Sequence, residues 1–279
     1  MIHSSSLPGV LTRVAFTVCL VVPVATAQQT LNSSYKVVPK TIVSVTNEYG
    51  PITVKPSSNG QVVVQAVSQS QAVTFDHEQH GNHLDLRARS QAQGDNLAEY
   101  TVAVPKDSWV VLKSSGGALR AEQVAGDAVL ESTTGTVEVT AMNQGHLHVT
   151  TLSGTIHLTN IRDSHLDIHS ISGDVNMRDV SGSLVEVHTG GGRISYAGDP
   201  GRAGEYLLSS HAGDLDVSVP WSADVQIRSS PGKGQTDKES PPTANSFQQK
   251  GSAILKPGIN SISRFVLQSL RGTVQVKRH

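Results

Sequence analysis

The sequence is short of aromatic residues, of cysteine and of net charge of either sign. Aromatic residues make up 4% of the 279 residues, which argues against a stacking platform for sugars or nucleic acid bases. The 22 basic and 23 acidic residues give a formal net charge of −1 at pH 7, so neither nucleic acid nor anionic lipid is an expected partner. Cys19 is the only cysteine, and the chain can therefore form no internal disulfide.

Long apolar runs are missing as well. The most apolar run, Val14–Val22, is too short to span a bilayer. It follows Arg13 and precedes the tripeptide Ala-Thr-Ala at 25–27, a small-x-small pattern typical of signal peptide cleavage. Residues 1–27 are therefore predicted to be a signal peptide. We expect the remaining chain to be exported to the periplasm, the cell surface or the medium, without a membrane span and without cysteine.

Glycine, by contrast, is plentiful and marks a repeat. Gly135, Gly154, Gly173, Gly192 and Gly213 each begin the same pattern of glycine, polar, apolar, polar, apolar. Successive glycines in this series are 19, 19, 19 and 21 residues apart, and a second alternating segment lies between each pair. Strict alternation indicates a half-buried strand, so each unit is predicted to hold two short strands and two turns.

Such a unit cannot bury an apolar face alone, but stacked units can. Each strand would pair in parallel with its counterpart one coil further on. One inward column would then be Val137, Ile156, Val175, Ile194 and Leu215. The glycines are expected at corners, where a positive φ costs them little. The sequence thus predicts an all-β fold, a single-stranded parallel β-solenoid with coils of about 19 residues and irregular strand-rich ends. An antiparallel sandwich would not explain the fixed register.

Domain boundaries follow from where the repeat fades. After the signal peptide, residues 28–40 are predicted to be a linker, 41–112 a strand-rich N-terminal capping region, and 113–230 the regular coils. Residues 231–250 contain few apolar residues and three prolines, which predicts a flexible polar loop. Alternation returns in the last segment, so 251–279 are predicted to form closing strands that cap the C-terminal end.

A longer similarity joins the two ends of the repeat. The segment VAVPKDSWVVLKSSGG matches VSVPWSADVQIRSSPG, 115 residues later. Pro105 and Pro220 are expected at corners, where no backbone donor is needed for the ladder. Trp109 and Trp221, which follow the two prolines, are predicted to shield the core near its ends.

Several of these segments resemble a known family. The repeated Ser/Thr-Gly-x-Val-x-Val pattern, the first strand pair IVSVTNEYGPITV, the segment VAVPKDSWVVLKSSGG and the closing LQSLRGTVQV are similar to the adhesin-type family designated domain of unknown function 4097. The resemblance covers residues 40–277. It implies an exported bacterial β-solenoid and supplies no catalytic residues.

Histidines recur at outward positions of the second strand in each unit. The three outward columns are predicted to be Asp127, His146, His165, Leu184 and Glu205; Val129, His148, Asp167, Glu186 and Leu207; and Glu131, Thr150, His169, His188 and Ser209. Neighbours in a column should lie about 4.8 Å apart, the spacing of paired strands. We name the histidine patch for its seven members: His146, His148, His165, Asp167, His169, Glu186 and His188. This patch could hold Zn²⁺ or Cu²⁺, or it is a solvated sheet face without a ligand. His157 is expected on the other sheet.

Other candidate sites are weaker. The segment FDHEQHGNH places His77, His80 and His83 near a hairpin tip, but its spacing is not the zinc-protease pattern His-Glu-x-x-His, so a polar loop tip is expected. No Gly-x-Ser-x-Gly elbow and no P-loop occur. Grouped acids serve some polysaccharide-active β-helix enzymes, and four acids could imitate them: Asp163, Asp167, Asp174 and Asp179. Asp167 and Asp174, however, should lie on different sheets.

The function predicted from the sequence is not enzymatic. The chain would present an extended surface for adhesion to another protein, a glycan or a component of the cell envelope, and it would need no cofactor. The alternative is a metal- or pH-responsive surface module built on the histidine patch. A polysaccharide-active β-helix enzyme is the third hypothesis.

Overall fold

The computed structural model describes residues 29–90, 98–231 and 262–279. In these ranges the chain forms 22 β-strands and no helix, as the alternating pattern predicts. The predicted signal peptide lies outside the described residues, as does the predicted polar loop from residue 232 to residue 250. No helix in the described part of the chain is long and apolar enough to cross a membrane.

The strands form two sheets of 11 strands each. In chain order they are β1 (Gln29–Tyr35), β2 (Ile42–Asn47), β3 (Ile52–Pro56), β4 (Val62–Ser68), β5 (Val73–His80), β6 (His83–Ser90), β7 (Ala98–Val104), β8 (Trp109–Ser114), β9 (Leu119–Glu122), β10 (Ala128–Ser132), β11 (Val137–Thr140), β12 (His146–Thr151), β13 (Ile156–Ile161), β14 (His165–Ser170), β15 (Val175–Val180), β16 (Leu184–Thr189), β17 (Ile194–Ala197), β18 (Glu205–Ser210), β19 (Leu215–Val219), β20 (Val225–Pro231), β21 (Ser263–Ser269) and β22 (Val274–Arg278).

The two sheets face each other, and successive coils contribute one strand to each. Sheet A has the spatial order β1-β4-β7-β3-β9-β11-β13-β15-β17-β19-β22, and sheet B has the order β20-β21-β18-β16-β14-β12-β10-β8-β2-β6-β5. The pairs β1–β4, β4–β7 and β5–β6 are antiparallel, and the other pairs of named strands are parallel. The predicted parallel β-solenoid is therefore confirmed.

The core lies between the sheets and follows the predicted register. Val137 pairs with Ile156, Ile156 with Val175, Val175 with Ile194, and Ile194 with Leu215. All five side chains are fully buried. Burying a Val, Leu or Ile side chain stabilises a fold by about 1.5–3 kcal/mol, so these columns supply the main stabilisation of a chain that has no disulfide in its described part.

The corner glycines serve close approach between coils, and the predicted positive φ is wrong for them. Among the described glycines, the positive φ values belong to Gly60, Gly81, Gly198 and Gly201, which lie outside the repeat series. A Cβ built on Gly173 would overlap the carbonyl oxygen of the corner glycine one coil earlier, and the same holds along the series. Glycine is required because the backbones of successive coils meet at this corner.

Buried hydroxyl groups close the same corner. The Ser170 Oγ accepts a hydrogen bond of 2.8 Å from the Gly173 N–H and donates one of 2.9 Å to the Gly173 carbonyl. Thr151 and Ser210 accept the equivalent bond from Gly154 and Gly213. The Ser or Thr three residues before each corner glycine therefore points inward and satisfies the turn backbone.

At the N-terminal end, the order of the layers departs from the order of the chain. The coil formed by β2 and β3 lies between the coil of β6 and β7 and the coil of β8 and β9, and it pairs in parallel with both. Strand β1 pairs antiparallel with β4 at the edge of sheet A, and its Leu31 and Tyr35 pack against the core. The predicted linker is therefore wrong over Gln29–Tyr35, because these residues form an edge strand.

The C-terminal end shows the same arrangement. On sheet B, β21 lies between β18 and β20 and is therefore inserted into the stack, whereas on sheet A β22 pairs with β19 alone among the described strands and closes the sheet, as predicted. Phe265 on β21 is fully buried, and its ring stacks on that of Tyr206 with the centroids 4.3 Å apart and an interplanar angle of 12°. Pro231, the first residue of the predicted polar loop, is instead the last residue of β20.

The two segments that match in sequence make equivalent connections. From β7 to β8 and from β19 to β20 the chain advances by two layers, and elsewhere in the regular stack it advances by one. Pro105 and Pro220 each lie directly after a strand and accept a turn hydrogen bond from the residue three positions later. The N–H groups of Trp109 and Trp221 donate to the inserted coils, at Thr41 and His279.

The predicted shielding role of the two tryptophans is wrong. Trp109 is 44% exposed and Trp221 is 52% exposed, so neither ring covers the core. What the two tryptophans share is a backbone contact, because the N–H group of each donates to a terminal segment of the chain at a connection that advances by two layers. The Arg278 guanidinium lies 5.9 Å from the centre of the Trp221 ring.

Candidate functional site

The structure places the histidine patch on the outer face of sheet B. Four of its members pair across neighbouring strands, His146 with His165 and His169 with His188. In the column between them, His148 pairs with Asp167 and Asp167 with Glu186. His157 lies on β13 in sheet A, on the opposite side of the molecule. All seven members are at least partly exposed, because alternate residues of each strand face the core.

Carboxylates orient most of the imidazole rings in the patch. The two oxygens of Asp167 lie 3.0 Å from the His148 Nδ1 and 2.8 Å from the His169 Nε2. The His188 Nε2 lies 2.8 Å from a Glu186 oxygen. An ionised carboxylate only accepts hydrogen bonds, so each of these ring nitrogens carries the proton.

The rings also contact one another along the columns. The rings of His169 and His188 are stacked, with centroids 5.4 Å apart and an interplanar angle of 19°. The rings of His146 and His165 are 5.3 Å apart but tilted by 43°. The patch is thus a two-dimensional array of imidazoles and carboxylates, whose rows follow the strands and whose columns run from one coil of the solenoid to the next.

No preformed metal centre with three protein ligands occurs in the part of the chain that the structure describes. The nitrogen atoms closest to carboxylates point at those carboxylates and not at a common point in space. A metal ion in the patch would therefore have at most two protein ligands in place, and the predicted Zn²⁺ or Cu²⁺ binding stays a prediction.

Beside the patch lies a groove of about 830 Å³. It is formed by three consecutive residues from each of six neighbouring coils: 46–48, 113–115, 131–133, 150–152, 169–171 and 188–190. Five inter-strand spacings of about 4.8 Å make it about 24 Å long. The groove therefore runs along the axis of the stack and continues onto the inserted coil of β2.

Each coil contributes the same three parts to the groove. The first residue of each triplet is outward-facing and forms one wall, which includes Lys113, Glu131, His169 and His188. The second is the buried Ser, Thr or Asn of the corner and forms the floor. The third lies on the corner turn and forms the other wall, where Leu152 is 45% exposed and Ile171 is 62% exposed. One wall is therefore polar and the other is partly apolar.

Sequence reasoning found the patch but missed the groove. The signal was present, since Leu152 and Ile171 occupy the same position of successive units, directly after the corner Thr or Ser. Two large apolar residues at a turn position indicate an exposed apolar edge. The 19-residue repeat could not predict that residues 46–48 extend the groove. These residues belong to β2, which lies beside β8 in the structure but is far from it in the sequence.

The acids considered for polysaccharide cleavage are not grouped. Asp167 lies on β14 in sheet B, whereas Asp174 precedes β15 of sheet A and accepts a hydrogen bond from the Arg193 N–H. Asp163 follows β13 with a φ of 49°, and Asp179 lies within β15 on sheet A with a φ of 53°. The histidines of the other cluster, His77, His80 and His83, lie on the β5–β6 hairpin around Gly81, as expected.

Comparisons with known proteins give the following likenesses. No curated protein matches the chain. A candidate adhesin from Bacteroides fragilis is 14% identical, with 88% of this chain and 98% of that chain covered and a TM-score of 0.45. A candidate cell adhesion protein from Clostridium sporogenes is 11% identical, with 91% and 99% covered and a TM-score of 0.28. A candidate lipid-binding protein from Parabacteroides distasonis is 12% identical, with 88% and 96% covered and a TM-score of 0.38.

A family profile gives a clearer assignment. The profile of Toastrack DUF4097 matches residues 41–275. The matched range begins one residue before β2 and ends within β22, so it includes the regular coils and both inserted terminal coils. The sequence resemblance to domain of unknown function 4097 is thereby confirmed. The chain belongs to the Toastrack DUF4097 family.

Proposed function

We propose that this protein is an exported, non-enzymatic β-solenoid that adheres through the groove on sheet B to an extended polypeptide segment of a cell-envelope protein. The observation that carries the proposal is the groove itself. It is long, open and continuous over six coils. Enclosed clefts bury a small ligand, whereas an open channel of this length fits a chain that lies along it.

The chemistry of the groove favours polypeptide over glycan. Its two walls differ, with Lys113, Glu131 and two imidazoles on one side and Leu152 and Ile171 on the other. An extended peptide presents alternating side chains to its two sides, which fits a polar wall opposite an apolar one. Tryptophan, tyrosine and phenylalanine, which stack on sugar rings, do not occur among the residues that line the groove.

Export is the second part of the proposal and rests on the sequence of residues 1–27. The cationic flank, the apolar run and the small-x-small site have the order of a signal peptide. If the proposal is correct, N-terminal sequencing of the protein recovered outside the cytoplasm gives a chain that begins at Gln28. Recovery of a chain that still begins at Met1 would contradict it.

Adhesion is tested by pelleting the fluorescently labelled protein with an envelope fraction of the source cells. Wild type is expected to pellet with the fraction, and Ile171→Glu is expected to weaken the association by tenfold or more, because the partner would cover an unpaired charge. His157→Glu, on sheet A, is the matched control and should bind as wild type does. Protease treatment of the envelope fraction should abolish pelleting. Equal binding by the two variants, or binding that survives protease, would refute the proposal.

A second candidate function, a pH-responsive surface, is favoured by the imidazole–carboxylate pairs of the patch. Histidine is the side chain that changes charge between pH 5 and 8. Protonation of the patch would turn a surface with two carboxylates and neutral imidazoles into one with a positive excess. Pelleting of wild type at pH 7.5 and at pH 5.5 should then differ more than that of a His148→Asn/His169→Asn/His188→Asn variant. An identical change in both proteins would remove this candidate.

A further inference from the structure

We propose that His169 and His188 form a two-imidazole site for a divalent transition-metal ion, such as Cu²⁺ or Zn²⁺, at the polar wall of the groove. The proposal goes beyond adhesion and does not depend on it. Both histidines line the groove and pair across the neighbouring strands β14 and β16. Their rings are stacked 5.4 Å apart and are nearly parallel.

The contacts of the two rings with carboxylates leave the same nitrogen available on each. The His169 Nε2 lies 2.8 Å from Asp167, and the His188 Nε2 lies 2.8 Å from Glu186. Because a carboxylate can only accept, both Nε2 atoms are protonated and both Nδ1 atoms keep a lone pair. Within the described ranges, neither Nδ1 has a hydrogen-bond partner.

This arrangement matches the surroundings of metal-binding histidines. Such a histidine almost always donates its second ring N–H to a carboxylate or carbonyl, which fixes the tautomer and makes the ligating nitrogen more basic. Here two adjacent rings are held in that way, each by an acid two residues earlier on its own strand. His169 and His188 thus occupy equivalent positions in successive coils, and each is oriented by an acid in the same way.

The spacing of the rings suits a shared ion. A Zn–N bond is about 2.0–2.1 Å long, so two nitrogens on one tetrahedral ion lie about 3.3 Å apart. The rings of His169 and His188, with centroids 5.4 Å apart, would have to tilt toward each other to bring the two Nδ1 atoms to that separation. Two protein ligands leave positions on the ion open to water or to a donor atom of a chain in the groove.

The other histidines of the patch are less suitable. Both ring nitrogens of His148 are engaged, Nδ1 by Asp167 and Nε2 by the Thr150 hydroxyl. His146 is oriented by Asp127, but the ring beside it, that of His165, has no carboxylate partner among the described residues and is tilted by 43°. The pair of His169 and His188 is therefore the one in which each Nε2 faces a carboxylate and each Nδ1 is left for a metal ion.

The test is calorimetric titration of the purified protein with Cu²⁺ and with Zn²⁺ at pH 7.5. We expect one ion per chain with a dissociation constant in the micromolar range or weaker. His169→Asn and His188→Asn should each weaken binding at least tenfold. His146→Asn and His157→Asn are matched controls and should bind as wild type does, and all four variants should keep the wild-type denaturation midpoint.

A spectroscopic measurement distinguishes this site from scattered binding. Electron paramagnetic resonance of the Cu²⁺ complex should show coupling to two imidazole nitrogens in wild type and to one in either single variant. Asp167→Asn removes a positioning residue, not a ligand, and should weaken binding less than loss of His169 does. Absence of binding, equal binding by all variants, or loss of binding only in His146→Asn would overturn the proposal.

Discussion

The middle of the stack and its two ends are built from the same coil but are connected differently. From β10 to β19 each coil lies beside the one that follows it in the chain. Near both ends the chain instead advances by two layers, and another part of the chain fills the gap, β2–β3 near one end and β21, on sheet B, near the other. The middle is therefore local in sequence, whereas each end includes strands whose neighbours are far away along the chain.

The difference teaches how this stack protects its ends. Terminal repeats of a solenoid have a neighbour on one side only and tend to fray. In this protein, β2, β3 and β21 each lie between two other strands, whereas β1 and β22, which carry the chain termini, are the edge strands of sheet A. We therefore expect the amides of β2, β3 and β21 to be as protected from hydrogen exchange as those of the regular coils, and the amides of the edge strands to be less protected.

The largest effect is expected in the middle. Ile156→Asp places a charge in a core that is one side chain deep on each sheet, and it should cost several kcal/mol of the free energy of unfolding. The matched control is His157→Ala, the next residue and outward-facing, which should cost about 0.5 kcal/mol or less. Chemical denaturation measures both. Equal shifts of the midpoint would refute the register.

Phe265→Ala tests the inserted C-terminal coil. The ring is fully buried against Tyr206 and Tyr196, so its loss should cost about 3–5 kcal/mol. Hydrogen exchange shows where the loss acts. We expect the amides of β20 and β21 to lose protection and those of β12 to keep it, because the inserted coil holds β20 in place. Uniform loss over all strands would show that the end and the middle unfold together.

Gly173→Ala tests the close approach of coils in the middle. The added Cβ would overlap the backbone of Gly154, which is not free to move within a parallel ladder. We expect a destabilisation of about 1–3 kcal/mol, measured by thermal or chemical denaturation. Gly191→Ala is the control, since a Cβ there meets no atom within 4 Å. A similar cost for both would mean that backbone conformation, and not space, requires the glycine.

The smallest effect is a pH dependence at the C-terminal end. The Thr273 N–H and hydroxyl each donate a hydrogen bond of 2.7 Å to Asp214, which lowers the pKa of this carboxyl, and Arg193 adds to the lowering. A pKa lowered by folding adds stability that is present above the ordinary value of 3.8 and is lost as the pH falls through the folded-state pKa. Asp214→Asn should therefore flatten the stability profile below pH 4. A variant whose stability depends on pH as the wild type's does would refute a stabilising role for the hydrogen bonds between Thr273 and Asp214.

Much of the middle could be predicted from the sequence, including the inward columns and the outward positions of the histidines. Two local interpretations were wrong for physical reasons. The corner glycines suggested positive φ, but they relieve contact between coils, which a single strand does not reveal. The tryptophans suggested shielding, but the similarity of their segments reflects a connection that advances by two layers. The orientation of each imidazole depends on acids in neighbouring positions and needed coordinates.

The sequence by itself determined which residues face inward and that successive coils stack in parallel. A slip by one residue would turn either Ile156 or Val175 to the outer face, so the alternation strongly specifies the register. Only the tertiary structure decided which coils are neighbours at the ends and hence how far the groove extends. The reason is that β2 can pair with any strand of matching register, and its place beside β8 is chosen by the gap that the connection after Pro105 leaves open.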